Sequence, residues 1–246
     1  MIPLRDSAAP RRFTLVNCVL IAINLGVFGY EVSLGSRVAV LMERFALVPR
    51  ALTSWLQTMV VGERPVWSLH APLTVVTAMF LHAGVLHVLG NMLYLFVFGA
   101  AVEARLGARR YAGFYLAAGI AAALATVAFA PQSTVPVIGA SGAIAGVLGA
   151  YFVMYPRGRI LTVLPLFVFL YTLEVPAVLY LLLWFALQLF SGLSEGRAGV
   201  MSGGVAWWAH VGGFLFGAAL GPLLARKPGP RGKRRQRLSI RYGQNS

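Results

Sequence analysis

The sequence predicts an all-α polytopic membrane protein built as a six-helix bundle. Three observations carry this prediction. Of 246 residues, 59% are hydrophobic and only 11% are charged, where a soluble chain is about 25% charged; mean hydropathy is +0.76. Six apolar stretches approach the ~20 residues needed to cross a bilayer core: roughly 13–33, 84–102, 111–130, 138–155, 175–193 and 206–225. The basic residues also sort to one side. Arg5, Arg11 and Arg12, then Arg105, Arg109 and Arg110, then Arg157 and Arg159, and finally the basic C-terminal run all share a face if there are six spans. By the positive-inside rule that face, with both termini, is cytoplasmic.

Residues 1–12 read as a basic cytoplasmic N-terminus. The apolar stretch after Arg11-Arg12 is too long for a signal-peptide core and lacks an A-x-A-like exit, so it reads as a first span and not as a cleaved or twin-arginine leader. Cys18 lies within it as a packing residue, and one cysteine allows no internal disulfide. A large outer loop, 34–82, separates spans one and two. It mixes Arg37, Glu43, Arg44, Arg50, Glu63 and Arg64 with apolar residues and three prolines, the composition of a folded loop partly sunk in the outer leaflet. The apolar stretch 160–173 contains Pro165 and is cut off by Glu174 and Pro176, so it reads as interfacial or re-entrant; if it spanned, there would be seven crossings. Residues 13–225 thus form a single membrane domain. From Arg226 onward there are eight basic and no acidic residues. Residues 226–246 are expected to be a disordered cytoplasmic tail against anionic lipid headgroups. The net charge of +14 sits largely there, and no base-reading module accompanies it, so no nucleic-acid partner is expected.

Four polar residues fall at one depth under this topology. Ser141 lies just below the outer end of span four, His210 just below the outer end of span six, and His87 and Asn91 near the outer start of span two. Imidazole inside hydrocarbon is costly and marks function by default. Small residues let the helices meet. His210, Gly213, Gly217 and Gly221 share one face of span six, and span four offers Gly139, Gly142, Gly146 and Gly149. Such small-xxx-small ridges permit close backbone approach in lipid. Gly142, Gly213 and Gly217 are the expected packing supports.

A serine hydroxyl needs a base to become a nucleophile, and His210 is the available one. The spans hold no Asp or Glu at this depth, so the expected device is a Ser141–His210 dyad without the third member of a Ser-His-Asp triad. The Ser141 N–H, at a helix N-terminus, with Asn91 and His87, can donate to an oxyanion; Gly139 is placed with them on the oxyanion and substrate side. No metal or other cofactor is expected, since His82-x4-His87 has no carboxylate or cysteine beside it at membrane depth. His70 carries no functional signal.

Taken together, Gly139-Ala140-Ser141-Gly142, Ala209-His210-x-Gly212-Gly213, His82-x4-His87-x3-Asn91, Ala101-Val102-Glu103-x-Arg105-Leu106-Gly107 and Phe45-Ala46-Leu47-Val48-Pro49 resemble the rhomboid family of intramembrane serine proteases, in its bacterial form. The resemblance implies a six-helix fold around a water-filled cavity that opens outward, and cleavage of transmembrane protein substrates near their outer ends. It implies Ser141 as nucleophile, His210 as base, His87 and Asn91 as oxyanion side chains, and a structural role for Glu103 and Arg105. Two family features are missing. Ala145 stands where some members carry a tyrosine stacked on the histidine, and Trp67-Ser68 is the nearest counterpart of an outer-loop Trp-Arg pair. Span five (175–193) and the outer loop are the expected substrate gate, and a bacterial plasma membrane is the expected location. The competing readings are a non-catalytic relative that binds membrane clients and a small transporter. A pseudoprotease loses the serine or the histidine, and transporters show internal repeats and midplane charges, which this sequence does not.

Overall fold

Six apolar helices make the body of the protein in the computed structural model, which describes residues 2–8, 14–61, 70–166, 169–198 and 206–226. They are α1 (Leu15–Ser33), α5 (Val85–Leu106), α6 (Ala108–Phe129), α7 (Ser141–Met154), α8 (Ala177–Ala198) and α9 (Trp207–Leu224). Between α1 and α5, the long loop contributes three short helices, α2 (Val38–Phe45), α3 (Pro49–Val61) and α4 (His70–Thr77). Among the described residues, five helices are long and apolar enough to span a bilayer, and α7 is a shorter apolar one. The chain is an integral, multi-pass membrane protein. Its outward faces are apolar: Leu86 on α5 is 87% exposed and Leu223 on α9 is 80% exposed, an arrangement suited to lipid and not to water.

α7 is the centre of the bundle. Every residue from Gly142 to Tyr151 is buried, as expected of a helix that is hydrophobic all round. The sequence predicts a span over 138–155, but the helix begins only at Ser141 because Gly139 takes a φ of +119°, which turns the chain before the first helical turn. Its 14 residues reach about 21 Å at 1.5 Å per residue, less than the ~30 Å hydrocarbon core. Ser141 therefore begins a helix too short to cross by itself.

At the other end of the bundle, Glu103 organises the start of α1. Its carboxylate accepts the Val16 N–H at 3.2 Å and the Asn17 N–H at 2.7 Å, two of the donors a helix N-terminus leaves unpaired. Asn17 in turn donates to the Leu95 carbonyl at 3.0 Å and accepts from the Tyr111 hydroxyl at 2.8 Å. Leu95–Gly99 is a π-helical stretch within α5, and the Asn17 amide donates to the carbonyl of its first residue. Arg105 offers its carbonyl to the Arg226 N–H at 2.9 Å, so α1 starts and α9 finishes at one end of the bundle.

The helical bundle is the predicted one, with an addition the sequence reading does not contain. Residues 160–166 and 169–173 do not form a helix. They lie in a β-hairpin of β2 (Arg159–Leu166) and β3 (Phe169–Pro176), paired from Arg159↔Pro176 to Leu166↔Phe169. The N-terminal segment contributes a third strand: β1 (Ile2–Asp6) runs antiparallel along β2, from Ile2↔Val163 to Asp6↔Ile160, with a bulge between Pro3 and Arg5. The physical reason is composition. The segment is rich in Ile, Leu, Val, Thr, Phe and Tyr, residues that suit a half-buried pleated surface, and Ile160 and Thr162 are fully buried in the central strand. Asp6 fastens the sheet to α7 by accepting a hydrogen bond from the Tyr151 hydroxyl, and locally accepts one from the Ala8 N–H at 2.8 Å. The basic tail beyond Arg226, Trp67-Ser68 and most of the loop before α9 lie outside the described residues.

Candidate active site

α7 and α9 meet through their glycines. A methyl group placed on Gly213 would overlap the Gly142 carbonyl oxygen, and one on Gly217 would overlap that of Gly146. With nothing larger than hydrogen between the backbones, a short hydroxyl on α7 reaches a ring on α9. Ser141 Oγ and His210 Nε2 are 2.8 Å apart.

The loop between α1 and α5 holds the approach to Ser141. Leu47 and Val137 exchange backbone hydrogen bonds of 3.1 and 2.8 Å, and Ala46 and Leu47 are buried. The Gly139 N–H then donates to the Ala78 carbonyl at 2.8 Å. The Gly139 N–H is thus engaged by Ala78 in the resting structure. What Gly139 contributes is space. A Cβ there would sit 2.8 Å from His87 Nε2 and 3.7 Å from Asn91 Nδ2, and at this positive φ an L side chain is strained as well.

His87 and Asn91 stand one turn apart on α5, beside this bend. The Ala83 N–H donates to His87 Nδ1 at 3.3 Å. An accepting Nδ1 leaves the proton of the neutral ring on Nε2, the nitrogen nearest Gly139. Among the described residues the buried Asn91 Nδ2 group has no hydrogen-bond partner, which is unusual for a buried donor. As the first residue of α7, Ser141 also has an N–H without an intrahelical acceptor. All four side chains expected at one depth, Ser141, His210, His87 and Asn91, line a single cavity of about 470 Å³ together with Gly90 and Trp184.

Two contributors are missing from the sequence reading. Gln188 on α8, 8% exposed, places Oε1 2.6 Å from His210 Nδ1. Trp184, one turn earlier, lies with its ring centroid 5.8 Å from the His210 ring, and Trp207 meets the same ring edge-on at 6.4 Å. These indoles supply the aromatic contact that Ala145 cannot. The signal was available: Gln188 is the one amide in the apolar run Ala177–Phe190, four residues after Trp184. A search confined to carboxylates passes over it. His82 packs against His87, centroids 5.1 Å apart, and its backbone N–H donates to the buried Glu31 carboxylate at 3.1 Å, tying α1 to the start of α5. The first span therefore does carry an acid near its outer end, contrary to the sequence reading, but it is engaged by this backbone N–H, and His210 pairs with Gln188 instead. Among the described residues, no group of three or more His, Cys, Asp or Glu side chains is placed to hold a metal ion.

The Rhomboid domain family model matches residues 69–227, which include all of these site residues. RHOMBOID-like protein 6, mitochondrial, of Arabidopsis thaliana is 32% identical over 171 residues, 68% of this chain and 48% of that protein. The Rhomboid protease GluP of Bacillus subtilis (strain 168) is 34% identical over 160 residues, 64% of this chain and 27% of that protein. RHOMBOID-like protein 1 of Arabidopsis thaliana is 32% identical over 171 residues, 70% and 38% respectively. The matches cover about half or less of these relatives' own length. Matched by this model over most of its length and about a third identical to such relatives where they align, the chain belongs to the rhomboid family.

Proposed function

We propose that the protein is an intramembrane serine endopeptidase acting on transmembrane segments of other membrane proteins near their outer ends. The observation that carries this is the 2.8 Å contact between Ser141 Oγ and His210 Nε2 at the wall of the cavity. In this reading His210 Nε2 takes the Ser141 proton as Oγ bonds to the scissile carbonyl carbon. The carbonyl oxygen becomes an oxyanion, and the His87 Nε2–H, the Asn91 amide and the Ser141 N–H are the donors aimed at it. His210 then returns the proton to the departing amine, leaving an acyl-enzyme on Ser141. Water, deprotonated by His210, releases the acid and restores the hydroxyl. Family membership and the protease name of the Bacillus subtilis relative support this.

The rest of the arrangement follows from the sequence reading. Residues 1–12 and the tail 226–246 face the cytoplasm, 13–225 form one membrane domain in a bacterial plasma membrane, and the tail contacts anionic headgroups. The test uses purified protein in lipid vesicles with a model transmembrane substrate. Wild type cleaves it; Ser141→Ala does not, while melting like wild type. A fluorophosphonate labels the first and not the second. Undiminished cleavage by Ser141→Ala overturns the assignment, and a wild type that binds substrate without ever cutting it is instead a client-binding relative.

A further inference from the structure

His210 has two ring nitrogens, and only one protonation pattern of the neutral ring lets it act as the base. Nε2 faces Ser141 and must carry the lone pair, so the proton must sit on Nδ1. In a Ser-His-Asp triad a carboxylate enforces this. Here Nδ1 faces Gln188 Oε1 at 2.6 Å, and an amide oxygen can only accept. The tertiary contacts make the pairing specific. Gln188 is buried on α8, and Trp184 on the same helix and Trp207 bracket the ring. The imidazole cannot easily turn away from the amide.

We propose that Gln188 is the positioning residue that holds His210 in its Nδ1–H tautomer, an uncharged third member of the catalytic group. This rests on the protease reading of Ser141 and His210. An amide suits the place. A carboxylate here would add a charge at membrane depth, where unpaired ions are expensive, whereas the amide orients the ring without one. α8 thereby becomes part of the catalytic apparatus: an outward displacement of α8 breaks the Gln188–His210 bond and leaves the base unoriented.

The test uses full-length protein with ¹⁵N-labelled histidine in phosphatidylcholine–phosphatidylglycerol bilayers. Nitrogen chemical shifts report which ring nitrogen is protonated, and cleavage of a model transmembrane substrate is followed against pH in the same samples. Wild-type His210 is expected to carry its proton on Nδ1. Gln188→Leu and the near-isosteric Gln188→Met move the population toward Nε2–H and lower kcat by about 10²–10⁴-fold, with KM little changed. Gln188→Glu keeps an acceptor, retains Nδ1–H and stays within about tenfold of wild type. Its added negative charge moves the acidic limb of the pH profile upward. His87 and Tyr94, the other titratable side chains on the cavity wall, are common to all variants.

A wild-type ring protonated on Nε2, or a Gln188→Leu protein that cleaves like wild type with an unmoved acidic limb, overturns the proposal. The wild-type spectrum requires no variant, so misfolding of one cannot leave the question open. It also requires no turnover. A protein with the Nδ1–H tautomer and no cleavage would remove the protease reading while keeping the Gln188 contact.

Discussion

Gly217 on α9 lies so close to the carbonyl oxygen of Gly146 on α7 that a methyl group could not fit between them. The obstruction is backbone, which cannot swing aside as a side-chain tip can. Gly217→Val is therefore expected to force α7 and α9 apart, lowering stability by about 1–3 kcal/mol and separating Ser141 from His210. A thermal melt in detergent reads the first effect and fluorophosphonate labelling the second. Gly113→Ala on α6 is the control, because nothing lies within 4 Å of its added methyl. It should keep full labelling and match or exceed wild-type stability by about 0.5–1 kcal/mol.

Asn91 should separate function from folding. Among the described residues its buried Nδ2 has no partner, so removing this group breaks no hydrogen bond described in the resting protein. Asn91→Ala is expected to leave the melting temperature close to wild type and to lower kcat by about 10²–10³-fold, the usual loss for one oxyanion donor. A large drop in stability with unchanged kcat would make Asn91 a structural residue.

Glu103 predicts the reverse pattern. Its carboxylate holds the Val16 and Asn17 N–H groups at the end of the bundle away from Ser141. Glu103→Ala leaves the buried Asn17 N–H and the half-buried Val16 N–H without this acceptor, at a cost of about 1–3 kcal/mol. Glu103→Gln keeps one oxygen and should cost less. Cleavage per folded molecule should hold in both, and hydrogen exchange should rise first in the opening turn of α1.

Asp6 gives the small sheet a pH dependence. Burial raises its pKa, with the hydrogen bonds from the Tyr151 hydroxyl and the Ala8 N–H opposing that rise. Among the described residues its buried Oδ2 has no hydrogen-bond partner. The folded protein therefore holds this proton more tightly than the unfolded chain does. The stabilisation is fully present below the ordinary carboxylate value of about 4 and is lost as pH rises through the raised value. Protection of the β1 amides, corrected for intrinsic exchange, should fall across that window, and Asp6→Asn should abolish the dependence.

The sequence by itself determined whatever depends on one residue and its neighbours along the chain. Hydropathy runs locate the helices to within a few residues: 13–33 against Leu15–Ser33, and 206–225 against Trp207–Leu224. Lipid makes this legible, because every residue facing it must be apolar and every backbone polar group must be bonded within its own helix. Ser141, His210, His87 and Asn91 were conspicuous for the same reason, as polar groups in runs that exclude them. Only the tertiary structure decided which distant groups would pair. Ile2 meets Val163 across the sheet, Gln188 meets His210, and the Gly139 N–H is taken by Ala78. Local patterning cannot report such pairings, since a strand's partner and a buried amide's acceptor are set by how whole helices pack. Ser141 was visible in the chain, whereas the glutamine that orients its histidine became visible only when α8 was laid against α9.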